Sequence, residues 1–333
     1  MRAIEGDGLP AGNLLQSIKD ALANAARILV ISHLRPDGDA IGSLLGLGLG
    51  LEAAGKQVQM VSVDGVPSSL RHLPGSEQIV KKPQGAFDLI CVVDCSDLER
   101  VGDVLNSYGT PDINIDHHRT NLNFGRLNLV DTQAVATAQI IAYLLVAFGY
   151  NIKRPVSDAL LTGLITDTIG FRTSNMTPEA MRLAADLMET GTNLPELYQR
   201  ALVSRTFDAA RLWGAGLSKL QRENGLVWTT LTLDDRKKTQ YSGLDDADLV
   251  NILSAIEEAD IALIFLEQPD GRVKVSWRAQ AGLDVSQVAL DFGGGGHAAA
   301  SGADIAGSLD EVIAVVLQST RPLLNGYLAG NGN

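Results

Sequence analysis

A chain of 333 residues with 45% apolar and 20% charged side chains has material for about two packed domains. Its net charge of −12 and pI near 4.8 exclude the broad basic surface that tight binding along duplex DNA requires, leaving short single-stranded or small anionic ligands. The two cysteines, Cys91 and Cys95, share one segment without metal-type spacing, so reduced thiols in a cytoplasmic protein are expected. Met1 to Leu15 lacks the apolar core of a secretory signal. Ala134 to Tyr150 falls short of the ~20 apolar residues that span a bilayer, so a buried helix is expected there and no membrane contact.

In chain order, Asn13 to Ala26 reads as a first helix. The apolar run Ile28-Leu-Val-Ile31 leads into Ser32-His33-Leu-Arg-Pro-Asp37-Gly-Asp39, and a small-residue segment leaves it, which is a strand, loop, helix pattern. One imidazole and two carboxylates in a short turn form a donor set for hard or borderline cations. Aspartates in that position also read as caps of the next helix. That helix, about Ala40 to Ala54, carries Gly42, Gly46, Gly48 and Gly50, which disfavour helix unless close packing needs small residues. Gln57 to Val63 is a strand without ligands. Phe87 to Val93 ends at Asp94, and Asp112 to Ile115 ends at Asp116-His117-His118. Strands alternating with helices imply a mainly parallel sheet, in which groups at strand carboxyl ends gather on one edge.

Helices are expected at Thr137 to Phe148 and Pro155 to Thr166, the second running into Asp167-Thr-Ile-Gly-Phe-Arg172, while Ala134 to Ala138 reads as packing. Thr177-Pro178 opens a further helix that Gly191 closes. Leu194 to about Arg222 reads as helical and connecting. Beyond it, strands are expected at Leu226 to Leu233, Ile261 to Glu267 and Arg272 to Arg278, the last two forming a hairpin around Pro269-Asp-Gly271. Helices are expected at Asp246 to Glu258, Val285 to Phe292 and Ser308 to Ser319. Gly293-Gly-Gly-Gly296-His297 reads as a flexible loop.

Four of the five histidines, His33, His117, His118 and His297, fall in the segments just named, beside Asp37, Asp39, Asp94, Asp116 and Asp167. Such concentration favours a site over a set of helix caps. A carboxylate cluster of that density repels itself unless cations neutralise it, and a pair of ions sharing one carboxylate suits in-line attack on phosphorus. Phosphoester hydrolysis is therefore the expected chemistry.

At this point the motifs are specific. His33-x3-Asp37-Gly-Asp39, Val93-Asp94, Asp116-His117-His118 and Thr166-Asp167-Thr168, with Gly293 to Gly296 and His297 near the end, resemble the DHH phosphoesterase superfamily with its DHH-associated C-terminal domain. The nearest branch in motif and length holds the stand-alone oligoribonucleases (nanoRNases) and pAp phosphatases. The resemblance implies an α/β fold: a mainly parallel sheet flanked by helices, then a smaller C-terminal α/β domain, with the active-site cleft between them. The expected boundaries are a catalytic domain at 1–189, a helical linker at 190–222, a substrate-binding domain at 223–325 and a tail at 326–333.

The same resemblance implies two divalent metals, Mn²⁺ first and Mg²⁺ second. His33 and Asp37 would ligate one, Asp39, His117 and Asp167 the other, with Asp94 as the bridge. Asp116 would orient His117, and His118 would contact the scissile phosphate. Arg278, His297 and the backbone of Gly293, Gly294, Gly295 and Gly296 match substrate contacts, to which Arg172 and Arg119 are added as candidates. Relatives often read Asp-Thr-Gly where this chain has Asp167-Thr168-Ile169-Gly170, and carry a lysine where it has Ala298-Ala-Ala300. The implied partners are short single-stranded RNA or small nucleotides, and a homodimer. Rival readings are a phosphodiesterase of cyclic di-AMP or its linear product, a manganese-dependent inorganic pyrophosphatase, and a non-catalytic nucleotide-binding module.

Overall fold

The computed structural model describes residues 12–324, so the expected tail at 326–333 lies outside the described residues. The chain divides into two compact units between Ser204 and Arg205. In the first unit β1 (Arg27–Ile31), β2 (Gln57–Val61), β3 (Leu89–Val93), β4 (Ile113–Asp116) and β5 (Leu127–Val130) form one parallel sheet in the order β2-β1-β3-β4-β5. All five residues of β3 are buried, as an apolar strand covered on both faces must be. Successive side chains point to opposite faces. Ile28, Val30, Cys91 and Val93 therefore pack under a helical layer, while Leu29, Ile31, Ile90 and Val92 meet Val101 and Leu105 on the other side.

The helical layer consists of α1 (Asn13–Asn24), α2 (Gly38–Ala53), α3 (Thr137–Ala147), α4 (Val156–Asp167), α5 (Pro178–Glu189) and α6 (Leu194–Tyr198). The glycines of α2 are there for proximity. A Cβ on Gly42 would lie 2.6 Å from the carbonyl oxygen of Ala159 and 2.7 Å from the Gly163 nitrogen of α4. Packing thus overrides the poor helix propensity of the segment, and it brings the start of α2 against the end of α4.

The second unit opens with α7 (Phe207–Leu217), followed by β6 (Gln221–Glu223), β7 (Leu226–Leu231), α8 (Leu233–Thr239), α9 (Leu249–Leu253), β8 (Ile261–Glu267) and β9 (Arg272–Ala279). It is completed by α10 (Ser286–Asp291), β10 (Gly295–His297), β11 (Ala300–Ala306) and α11 (Leu309–Thr320). The sheet order is β10-β11-β9-β8-β7-β6, with β7 and β8 parallel and the other neighbours antiparallel. Leu263, Phe265, Val275 and Trp277 meet Val285 and Val316 on one face; Ala262 and Ile264 meet Leu212, Leu249 and Leu253 on the other.

Several elements depart from the sequence pattern. β5 is short, carries an asparagine, and is a strand through its pairing with β4. The stretch from Leu194 is broken rather than continuously helical: α6 runs into a wide turn at Gln199–Val203, Ser204 is extended, and Thr206 caps a fresh start. The expected helix at Asp246 to Glu258 shrinks to α9: Ala247 and Asp248 take left-handed backbone, which delays its start, and it ends at Leu253. Gly293 to His297 is not a loose loop. Gly295 to His297 pair with β11, and a Cβ on Gly294 would lie 2.1 Å from the Gly302 carbonyl oxygen.

Candidate metal centre

The carboxyl edge of the first sheet gathers the expected residues of that unit. β1 leads to His33, β3 leads directly to Asp94, and β4 ends at Asp116, which His117 and His118 follow. Asp39 lies in the first turn of α2, and Asp167 is the last residue of α4. Asp37 caps α2, with its Oδ1 accepting the amide of Ala40 at 3.0 Å. The capping reading is thus true of Asp37, which nonetheless lies in a donor group with His33 and Asp94.

Two donor groups share one residue. His33, Asp37 and Asp94 form the first and Asp39, Asp94 and His117 the second, the donor atoms within each lying inside 4.8 Å of one another. Asp94 turns one oxygen to each. Its Oδ2 is 3.5 Å from Nε2 of His33, and its Oδ1 is 3.8 Å from Nε2 of His117. Around the same His117 nitrogen, Oδ2 of Asp39 stands at 3.8 Å and Oδ2 of Asp167 at 3.7 Å. These separations are too long for good hydrogen bonds and suit donors arranged about a common cation. Imidazole and carboxylate donors with one shared carboxylate fit a pair of divalent ions.

Electrostatics argue the same way. Burial pushes the Asp39 carboxyl well above the usual range, and the charge of Asp94 pushes it further. Burial also raises Asp167, to about 6 against the pull of His117, with Asp37 and Asp94 adding to the rise. Burial disfavours a charged His117, but the carboxylates of Asp167, Asp39, Asp94 and Asp116 lift its pKa to about 9. Protons here stand in for cations that the carboxylates would otherwise need.

The supporting shell includes residues that the sequence reading passed over. Ala134 to Ala138 is not mere packing, for the start of α3 aims its amides at Asp39. Thr137 N donates to Oδ2 at 2.6 Å and Ala138 N to Oδ1 at 3.0 Å, a carboxylate at a helix N-terminus. The Thr137 hydroxyl donates to Oδ1 of Asp94 at 2.9 Å, and Ser43 Oγ donates to Asp39 at 3.2 Å. A Ser/Thr at a helix start was the available signal.

Asp116 has a different partner from the one expected. Its Oδ1 accepts Nδ1 of His118 at 2.7 Å and the backbone amide of His117 at 2.9 Å, whereas the ring of His117 presents Nδ1 to the Ala134 carbonyl at 3.2 Å. Asn121 Nδ2 fixes Asp116 from the other side, donating to Oδ2 at 2.6 Å. Burial opposes charge on His118, yet Asp116 raises its pKa above the ordinary histidine value. Arg119 and Arg172 are exposed, and neither makes an ion pair among the described residues.

In the second unit, Arg278 and His297 both pair with Ala300, so the three side chains form one row on one face of the sheet. Asn251 Oδ1 accepts Nε of Arg278 at 2.9 Å and the Trp277 carbonyl accepts NH1 at 2.9 Å, which fixes the direction of the guanidinium. The small Ala300 leaves space between the arginine and the histidine. Gly293 has left-handed backbone at φ 73° just after α10.

Residues 27–165 match the N-terminal domain of the DHH family, and residues 238–321 match the DHHA1 domain. The chain is 37% identical over 312 residues to the bifunctional oligoribonuclease and PAP phosphatase NrnA of Thermus thermophilus, covering 90% of this chain and 92% of that protein. It is 26% identical to the protein of the same name from Bacillus subtilis, across 84% of this chain and 89% of the other. An exopolyphosphatase-related protein from Bacteroides fragilis has the same fold, with a TM-score of 0.84 at 27% identity over 94% of this chain and 97% of that one. With both domains matched in sequence and the donor residues gathered on one sheet edge, the chain belongs to the DHH family of phosphoesterases and is a metal-dependent hydrolase.

Proposed function

We propose that the chain hydrolyses short oligoribonucleotides to mononucleotides and converts 3′-phosphoadenosine 5′-phosphate to AMP, in the cytoplasm, with a pair of Mn²⁺ or Mg²⁺ ions. The observation that carries this reading is the division of Asp94, one oxygen toward His33 and the other toward His117. His33, Asp37 and Asp94 would hold one ion, and Asp39, Asp94, His117 and Asp167 the other. Bound there, the ions supply charge neutralisation on the phosphate and an activated water for in-line attack.

The rest of the work falls to side chains. His118, held through Nδ1 by Asp116 and favoured in its charged form, keeps a proton on Nε2 to offer the phosphate or the leaving oxygen. Arg119 and Arg172, exposed and without an ion pair among the described residues, would serve as further phosphate contacts. Arg278 and His297 form the substrate face of the second unit, where a guanidinium fixed by Asn251 can grip a terminal phosphate, while the expected amides of Gly293 and Gly294 are taken by the carbonyls of Leu290 and Ala289 at 2.9 and 2.8 Å. The curated relatives named for oligoribonuclease and PAP phosphatase activity support this choice of substrate. The net charge of −12 supports small substrates over long duplexes.

Incubation with Mn²⁺ and a panel of pAp, linear dinucleotide, five-nucleotide RNA, cyclic di-AMP and pyrophosphate tests the reading. Fastest turnover of pAp or RNA is expected. Fastest turnover of cyclic di-AMP or pyrophosphate would replace it.

A further inference from the structure

Arg278 stands on the face of its sheet that α9 covers. It pairs directly with Ala262 of β8, and Ala262 packs in one cluster with Leu249 and Leu253 of α9. Asn251, between those two leucines in sequence, reaches the guanidinium, and its Oδ1 accepts Nε at 2.9 Å. A guanidinium only donates, so its partner must accept, and the acceptor supplied here is neutral. The other bond of Arg278 goes from NH1 to the carbonyl of Trp277, also neutral, and no carboxylate among the described residues pairs with it.

Carboxylates are not scarce nearby. Asp245, Asp246 and Asp248 all lie just before Asn251, yet each is engaged elsewhere. Oδ1 of Asp245 accepts the Tyr241 hydroxyl and, at 2.9 Å, the Ala247 amide; Oδ2 of Asp246 accepts the Val250 amide at 3.0 Å. Asp248 pairs with Arg205, the first residue of the second unit. Both Arg205 and Arg278 act on the Asp248 carboxylate electrostatically, Arg205 the more strongly. The backbone is bent to allow this. Ala247 and Asp248 have φ of 52° and 65°, a left-handed conformation that such residues keep only where their surroundings impose it, and Trp213 Nε1 donates to the Ala247 carbonyl at 2.9 Å. With the turn so held, Asp248 meets Arg205 and α9 begins in the phase that sets Asn251 against Arg278. A carboxylate in that place would occupy the paired donors that a phosphate needs.

We propose that Asn251 and Arg205 are positioning residues that set substrate choice: Asn251 aims Arg278 without neutralising it, Arg205 keeps Asp248 off it, and the guanidinium is thereby reserved for a phosphate at the end of the substrate. The second unit then favours a substrate that ends in a phosphomonoester over the same chain ending in a hydroxyl. The inference rests on the reading of Arg278 as a substrate contact.

Steady-state hydrolysis of the dinucleotide pApA and of its unphosphorylated counterpart ApA, by the full chain with Mn²⁺, tests it in wild type, Asn251→Asp, Asn251→Ala, Arg205→Met and Arg205→Lys. Wild type should have the lower KM for pApA. Asn251→Asp keeps the shape of the side chain and strengthens its bond to Arg278, so a merely structural role would tolerate it and make Asn251→Ala the worse of the two. The proposal requires the reverse order. KM for pApA should rise roughly tenfold in Asn251→Asp, the scale of one hydrogen bond to a charged group, and less in Asn251→Ala, while kcat and the KM for ApA change far less. Arg205→Met should raise the KM for pApA as well, and Arg205→Lys should restore it. Melting curves should place Asn251→Asp at or above the wild-type Tm, and the Asn251 pair carries the test if Arg205→Met fails to fold. A wild-type KM for pApA in Asn251→Asp, a larger rise in Asn251→Ala, or equal losses on both substrates overturns the proposal. An unchanged KM for pApA in Arg278→Met would instead overturn the reading of Arg278 as a substrate contact, and this inference with it.

Discussion

The metal centre of the first unit and the glycine-lined face of the second are held in place by opposite means. At the centre, side chains are pinned by side chains and by amides distant in sequence: Asp39 accepts from Ser43, Thr137 and Ala138, and Asp116 from His118 and Asn121. On the second face, position is set by backbone register. Arg278 and His297 are aligned because β9, β11 and β10 pair as they do, and the pairing needs glycine. The difference teaches where each can fail. The first breaks when a polar atom is removed, the second when a carbon atom is added.

The largest effect should come from the atom that both donor groups share. Asp94→Asn keeps the shape of the side chain and removes the charge, so metal-dependent turnover should drop by on the order of a thousandfold or more while the fold is retained. Metal stoichiometry measured alongside should fall below two ions per chain. Turnover within tenfold of wild type, with full metal loading, would show that Asp94 does not join the two groups. Thr137→Val probes the shell one step out: it keeps the amide bond to Asp39 and deletes the hydroxyl bond to Asp94. A loss of roughly 10- to 100-fold in metal affinity or rate is expected, recovered by Thr137→Ser. Failure of the serine to restore it would mean that the methyl group, not the hydroxyl, is what matters.

Gly294→Ala tests the other side of the comparison. Its Cβ would fall 2.1 Å from the Gly302 carbonyl oxygen and 2.6 Å from the Ala303 Cβ, so the β10 segment must shift. Overpacking of this kind costs about 1–3 kcal/mol. KM for pAp or dinucleotide should rise while cleavage of a generic phosphodiester such as bis-p-nitrophenyl phosphate is largely kept. Equal losses on both substrates would place the glycine run outside substrate recognition.

Legibility in the sequence divides along the same line. Ligands at strand ends could be read because a parallel sheet forces them to one edge, and because His33, Asp94, Asp116 and Asp167 each end or follow an element with a clear pattern. Thr137 could not be, since its partners Asp94 and Asp39 lie 43 and 98 residues away and the contacts exist only after the sheet closes. The partner of Asp116 was misjudged for a related reason: alternation along a strand says that His117 and His118 face apart, not which of them Asp116 reaches. In the second unit a run of glycines carries no pattern to distinguish a loop from a strand. Pairing with Ala300 to Gly302 decides the matter.

The smallest effect is one of pH and metal together, and it concerns the centre alone. In the metal-free protein His117 has its pKa raised to about 9 and Asp167 to about 6, each above its unfolded value. Stability gained from such protons is fully present below the unfolded pKa and is lost as pH rises through the folded one. The metal-free protein should therefore lose stability as pH rises from about 4 to 6 through Asp167 and again from about 6.5 to 9 through His117, a shift of a few degrees in Tm. Metal binding runs the other way. Because the ion takes the place of those protons, the Tm increment from Mn²⁺ should grow over the same range. Melting curves across pH 4 to 9, with chelator and with Mn²⁺, separate the two trends. A metal-free Tm that rises with pH would mean that the carboxylates around His117 do not hold a proton on it as their burial and spacing require, and that the centre needs cations less than its geometry implies.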